Sequence, residues 1–173
     1  MFTAINKYLT VSADAVYGAE NGIPFAEPSA NDVDVTLPAI GHPVTTVNMM
    51  GSVDIADETR VDNLQITISC QTNAETARLL NTREFIIKYA MQKQDAQTGL
   101  VSYVGFTAYA YGTPQSFSGG SHNVGETGAS DITINCLKYR LQEEGKDIIE
   151  IDRMAGILKI NGVDKRADIN KLL

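Results

Sequence analysis

Three groups of residues in this chain have the types and spacing that chemistry uses. Gly120-Ser121-His122-Asn123-Val124-Gly125-Glu126-Thr127 has the G-x-x-x-x-G spacing and trailing threonine of a phosphate-binding loop. It places Glu126 where such a loop needs a lysine, and an acid there repels phosphate. No helical pattern follows, so the segment reads as a flexible loop. The second group is His42 and His122, each in a loop flanked by glycine or proline. A catalytic base needs a rigid frame and a nucleophile signature such as G-x-S-x-G, and neither is near. With Cys70 and Cys136 these histidines show no zinc-ligand spacing. The third group is the acidic run Asp54, Asp57 and Glu58. It departs from the alternating acids of a calcium loop. No cleft-forming pattern supports a carboxylate pair of the kind that hydrolyses glycosides. It reads as a solvated acidic surface, with a small β-barrel hydrolase using Asp and Glu as the rival. The chain is therefore expected to be no enzyme and to hold no cofactor and no metal.

Composition narrows the class further. A length of 173 residues suits one domain. Apolar and charged fractions of 43% and 20% are ordinary for a globular chain. The net charge is −7, of which residues 1–60 carry −6, whereas residues 138–173 carry +1. An acidic chain without a basic run is a poor grip for nucleic acid, whose affinity comes from Lys and Arg on phosphates. It also lacks a polybasic patch for a membrane surface. Cys70 and Cys136 fall inside apolar alternating runs and read as buried thiols of a reducing compartment. The opening MFTAINKYLT has no charged segment followed by an apolar core, and no apolar run approaches the roughly 20 residues of a bilayer span. No stable membrane association is expected.

The elements that would position these residues are mostly strands. The cleanest is 61–70, where Leu64, Ile66, Ile68 and Cys70 alternate with Gln65, Thr67 and Ser69. Further strands are expected at 8–16, 33–37, 84–93, 100–111 and 131–142, with 84–93 and 100–111 forming a hairpin. In 131–142 the apolar parity changes: Ile132, Ile134 and Cys136 are followed by Leu137, Tyr139 and Leu141. A bulge near 136–137, or passage of the strand between two sheets, keeps both sets on the core. Glu144-Gly145 makes a tight turn into 147–152, and Asn161-Gly162 favours a type I′ turn. A capping box from Thr72 to Glu75 opens a helix over about 73–81 that buries Ala74, Ala77 and Leu80. Asp164 caps a short C-terminal helix. Segments 18–32 and 113–128 read as loops.

Residues 38–60 show neither clean period and read as a long loop. Loops of this length in compact domains usually serve binding or order on assembly. Val44, Val47, Met49 and Met50 are apolar for a solvated loop and suit a partner surface. The sum is a mainly β (α+β) single domain over 1–173. It is expected to be an antiparallel sandwich or barrel with one flanking helix and a short C-terminal helix.

Three groups of residues then resemble the major tail tube proteins of contractile-tailed phages. They are Val35-Thr36-Leu37-Pro38; Lys138-Tyr139-Arg140-Leu141 with Glu144-Gly145-Lys146 and Ile149-Glu150-Ile151-Asp152; and Lys159-Ile160-Asn161-Gly162-Val163-Asp164. The resemblance covers about 33–173 and is strongest in the last third, while 1–32 is longer and more acidic than the family pattern. It implies a tail-tube-like subunit that forms stacked hexameric rings, the inner tube of a phage tail or of an R-type bacteriocin. It implies as partners further copies of itself, a tail sheath protein, baseplate or tail initiator proteins and a tape-measure protein. DNA enters such a lumen as non-specific cargo. The particle is a virion tail or bacteriocin assembled in the host bacterial cytoplasm. A type VI secretion-like tube that carries effectors is the alternative. On this reading 38–60 is an inter-ring loop, and Asp54, Asp57 and Glu58 are candidates for an acidic lumen. Ile169, Leu172 and Leu173 in the C-terminal tail need a surface to pack on, and a neighbouring subunit supplies one. Deleting 165–173 should impair assembly more than folding. Circular dichroism of the monomer and microscopy of its assemblies check this, and intact tubes from the truncated chain count against it.

Overall fold

Alternation of apolar and polar side chains, clearest over 64–70, builds an antiparallel sheet that folds over on itself. The computed structural model describes residues 7–25, 27–31, 33–120, 122–125 and 128–173. Residues 1–6, and Ser121, Glu126 and Thr127 of the phosphate-loop lookalike, lie outside the described residues. The strands are β1 (Lys7–Glu20), β2 (Ile23–Pro24), β3 (Ala30–Asn31), β4 (Asp34–Thr36), β5 (Val44–Met49), β6 (Gly51–Ala56) and β7 (Leu64–Cys70). Helix α1 (Ala74–Arg78) and a 3-10 turn (Leu79–Asn81) follow. Then come β8 (Glu84–Gln94), β9 (Val101–Ser118), β10 (Ser130–Glu143), β11 (Lys146–Asp152), β12 (Ile157–Ile160), β13 (Val163–Asp164) and α2 (Ala167–Asn170). The main sheet runs β13-β12-β11-β10-β9-β8-β1-β2, with β7 on β10, β4 on β7 and β3 beside β1.

Strand β10 organises this sheet. Its first half, Ser130 to Cys136, pairs with β7; its second half, Lys138 to Glu143, pairs with β11. The change of partner falls at Leu137, where the register against β9 also slips between Cys136 and Lys138. Both sequence-based expectations for this strand, a bulge and a passage between two sheet portions, therefore describe one feature. Before the bulge Ile132, Ile134 and Cys136 are buried; after it Tyr139 is. Leu137 itself is the unpaired residue and is exposed, contrary to its expected place on the core, because a bulged residue belongs to neither face.

The two portions close on one core. Leu64, Ile66 and Ile68 of β7 and Ile132 and Ile134 of β10 pack with Val16 of β1, Phe85 and Ile87 of β8, Ile151 of β11 and Leu158 of β12. Leu79 of the 3-10 turn is fully buried among them. Helix α1 starts one residue later than the Thr72–Glu75 box implies. Asn73 accepts from the Thr76 N–H at 2.8 Å and the Thr76 hydroxyl accepts from the Asn73 N–H at 3.0 Å. Thr72 is drawn away to the Ser130 hydroxyl. The helix consequently buries Thr76 and the following turn buries Leu79, while Leu80 is half-buried against the core, Ala77 is half-buried and only Ala74 of the expected three is exposed.

Three loops of the sequence reading hold strands, and the first of them, 18–32, contains the end of β1 with β2 and β3. Residues 113–118 continue β9 beside the first half of β10. Residues 44–56 form a hairpin, β5 and β6, which pair with each other in a separate two-stranded sheet. Among the described residues no helix is long and apolar enough to cross a membrane.

The bulge depends on Gly112, which lies opposite Cys136. A methyl group there would overlap the carbonyl oxygen of Asn135 and sit 2.9 Å from the Cys136 Cα. We expect Gly112→Ala to destabilise the fold by about 2–4 kcal/mol in urea unfolding. A loss below about 0.5 kcal/mol, the range of an ordinary surface change, would show that the bulge has room to open.

Candidate functional site

The β5–β6 arm stands apart from the main sheet as a separate two-stranded ribbon with exposed apolar residues. Its register places Thr45 opposite Ile55, Val47 opposite Val53 and Met49 opposite Gly51 on one face. The other face pairs Val44 with Ala56, Thr46 with Asp54 and Asn48 with Ser52. Polar bonds lie on that second face, where Thr46 donates to Asp54 at 2.7 Å and Ser52 to Asn48 at 3.3 Å. The arm is thus an amphipathic ribbon whose apolar side carries exposed Met49, Val53 and Ile55 beside half-buried Val47. An isolated two-stranded hairpin is marginally stable in water without further packing.

The structure sorts the sequence candidates accordingly. Val47 and Met49 share the apolar face. Val44 lies on the polar face, and Met50 is the fully exposed tip. Val53 and Ile55 join the apolar face and were missed. Their period-two spacing with Val47 and Met49 was present, but Gly51 at the tip and the out-of-phase Val44 and Met50 masked it.

The arm's base is held firmly. Asp57 N–H donates to Pro43 O at 2.8 Å, Asp62 N–H to Gly41 O at 2.9 Å, and His42 Nδ1 lies 2.6 Å from Arg60 O. Arg153, in the turn after β11, donates to Val61 O at 2.8 Å and Asp62 O at 3.3 Å. Lys165 donates to Glu58 at 3.0 Å. Arm and C-terminal segment are therefore tied together. In that segment Ile169 is half-buried, while Leu172 and Leu173 are almost fully exposed.

Asp54, Asp57 and Glu58 do not form one open acidic face. Asp54 is bonded across the arm. Asp57 is held below the usual carboxylate range by the Thr59 hydroxyl and then the Thr59 N–H. Glu58 is held below it by the hydrogen bond from Lys165 and then by that residue's charge. The outer face of the main sheet is similarly satisfied. Tyr17, Ile86, Tyr109, Arg140, Glu150 and Lys159 lie side by side across six strands. Arg140 sits 4.6 Å over the Tyr109 ring, Lys159 pairs with Glu150 at 3.5 Å and Lys138 with Asp152 at 2.9 Å.

Reactive chemistry finds no constellation among the described residues. Burial pushes the Cys136 thiol up to about 11, and burial followed by the charge of Asp131 raises Cys70, so both are poor nucleophiles. No three His, Cys, Asp or Glu side chains converge as a metal site among the described residues.

A family model described as Phage tail tube protein FII matches residues 29–173. The tail tube protein of Escherichia phage P2 is 33% identical to the chain over 79 residues, 46% of this chain and 45% of that protein. The chain thus spans about half the length of this curated relative in the match.

The Glu58–Lys165 tether has a definite pH dependence. Glu58's carboxyl is lowered in the fold, so the tether is present above the ordinary value of about 4.3 and is lost as pH falls through the lowered one. Amide exchange of 44–62, corrected for intrinsic rates, should therefore quicken between about pH 5 and pH 3 relative to β7 and β10. Equal protection at both pH values would show that other contacts hold the arm.

Proposed function

We propose a function from one premise, that this chain belongs to the phage tail tube protein FII family: it is the subunit of hexameric rings that stack into the inner tube of a contractile tail. Membership makes it a structural tail protein rather than an enzyme. The observation that carries the finer reading is the arm. Its exposed apolar face and anchored base suit a ribbon that folds into place against the next ring. Full burial of such a side chain contributes about 1.5–3 kcal/mol, and with Met49 64%, Val53 46% and Ile55 46% exposed and Val47 already half-buried, roughly half of that is left to gain at each before the entropy of ordering is subtracted. Repeated around a ring, that sum favours stacking strongly.

Partners follow from the same reading: other copies of the chain, a sheath protein outside, and initiator and tape-measure proteins at the ends. The acidic net charge supports a wall that repels phosphate and lets DNA pass without gripping it. Asp54, on the polar face of the arm, is the acid best suited to that wall, since Asp57 and Glu58 are engaged at the arm's base. Leu172 and Leu173, exposed beside the arm's anchor, belong to the same contact region. The P2 relative favours a phage tail over an effector-carrying secretion tube.

Replacing Val47, Val53 and Ile55 together by Thr keeps β propensity and removes apolar area. We expect unchanged thermal unfolding of the monomer and loss of rings or tubes in negative-stain microscopy. Tubes of normal length from this variant would sink the role given to the arm.

A further inference from the structure

Opposite ends of the main sheet carry unsatisfied charges of opposite sign. At one end, Arg60, Arg153 and Arg166 line a small cleft with Thr59, Val61 and Asp152, floored by the buried Ile151 and Leu158. Its volume of about 180 Å³ suits the end of one side chain. Arg153 is partly used by the Val61 and Asp62 carbonyls. Asp152 is spent on Lys138 and on the N–H groups of Met154 and Ala155. The buried Arg166 Nε has no hydrogen-bond partner, and among the described residues neither Arg60 nor Arg166 has an ion pair. Asp152 in the cleft wall is already engaged and Arg60 acts on the Asp57 carboxylate only through its charge, so the buried Arg166 Nε and the unpaired guanidinium of Arg60 leave room for one further carboxylate.

The other end supplies a free acid. Glu144 sits in the β10–β11 turn with φ +47, where an L side chain is disfavoured and Asn or Gly is the usual choice. Its side chain is exposed and, among the described residues, has no hydrogen bond or ion pair. Its neighbours are engaged: Glu143 accepts from the Tyr8 hydroxyl, and Asp147 from Gln142 at 2.7 Å. Around this end lie the exposed apolar Leu9, Val11, Val101 and Tyr103. Strand β11, about 23 Å long at seven residues, separates Glu144 from Arg153, so one copy cannot satisfy itself.

We infer that the arginine cleft receives the Glu144 carboxylate of a second copy, joining copies head to tail. This rests on the self-assembling reading above and names one contact within it. A contact between different patches of identical chains closes into a ring where its rotation closes and stays open where it does not; joining opposite ends of the sheet along its strands sets the open, stacking case. Guanidinium groups take a carboxylate in paired, directional bonds. The flanking apolar surfaces, the arm at one end and the β1 and β9 residues at the other, exclude water from that pair. The exclusion separates it from an ordinary surface ion pair.

The test is a charge exchange followed by sedimentation and negative-stain microscopy of the full chain. Glu144→Lys alone, and Arg60→Glu with Arg166→Glu, should each raise the concentration needed for tubes about tenfold or more. Combined in one chain, they should restore much of that loss. Glu144 and Arg60 are exposed, so Glu144→Gln and Arg60→Gln give milder variants that leave the monomer's unfolding unchanged. Glu144→Lys assembling like wild type, or the combined chain assembling no better than its parents, overturns the contact. A wild-type chain that never assembles overturns the tube reading and the contact with it.

Discussion

The fold turns on a steric constraint: at Leu137 one residue too many must be accommodated between Cys136 and Lys138, and only Gly112 leaves the space opposite. With the bulge, β10 gives its first half to β7 and its second to β11, while β9 follows it along both. Without it, the parity of β10 would run unbroken and Tyr139 would turn out of the core that Ile132 and Ile134 enter. The β7 layer would then have no reason to lie over β1 and β8. The place of the arm follows from the same constraint. Its base runs directly into β7 at Leu64 and is clasped by Arg153 at the end of β11, the two strands that the bulge sets in succession along β10.

Such a constraint was legible in the sequence where side chains repeat with a period and illegible where tertiary competition decides. Strand β7 could be read because Leu64, Ile66, Ile68 and Cys70 alternate without interruption, and the parity change at Cys136-Leu137 announced the bulge. Asn161-Gly162 was readable because two successive positive φ angles, +50 and +83, have few other solutions. The helix start was not, since Thr72 and Asn73 both cap well. What chose between them was Ser130, distant in sequence, whose hydroxyl engages Thr72. The arm was the largest miss. Its alternation is real, but a strand without a sheet behind it has no apolar run to advertise it. The arginine cleft was invisible for another reason: a basic patch was sought as a run, and Arg60, Arg153 and Arg166 become neighbours only through the fold.

The monomer is left incomplete in ways that suit controlled assembly. Its apolar arm is short, its polar face is internally bonded, and its base is tied by backbone and by Lys165 rather than by burial. Free β edges and bare apolar ribbons invite indiscriminate pairing. Here the edge is small, and Asp54 sits within β6, so an incoming strand meets a charge. The acidic balance adds a general repulsion between copies. Contacts that overcome it must therefore be specific.

That repulsion gives the uneven charge a different meaning from the one it first suggested. The −6 of residues 1–60 against the +1 of residues 138–173 is compatible with an acidic lumen without fixing which face is acidic. In the fold the contrast is cut across, because Arg60 joins Arg153 and Arg166 while Glu58 is answered by Lys165. Most charges on the sheet's outer face cancel locally, as Lys138 with Asp152 and Lys159 with Glu150 do. Among the described residues Arg60 and Arg166 at one end of the sheet and Glu144 at the other are left without an ion pair, which is the asymmetry the proposed contact uses. Identical chains that repel in bulk can then attract in one orientation, the one that sets unlike ends together. In the proposed stack of rings, such an axial polarity favours one direction of addition, because a reversed copy sets like charges together.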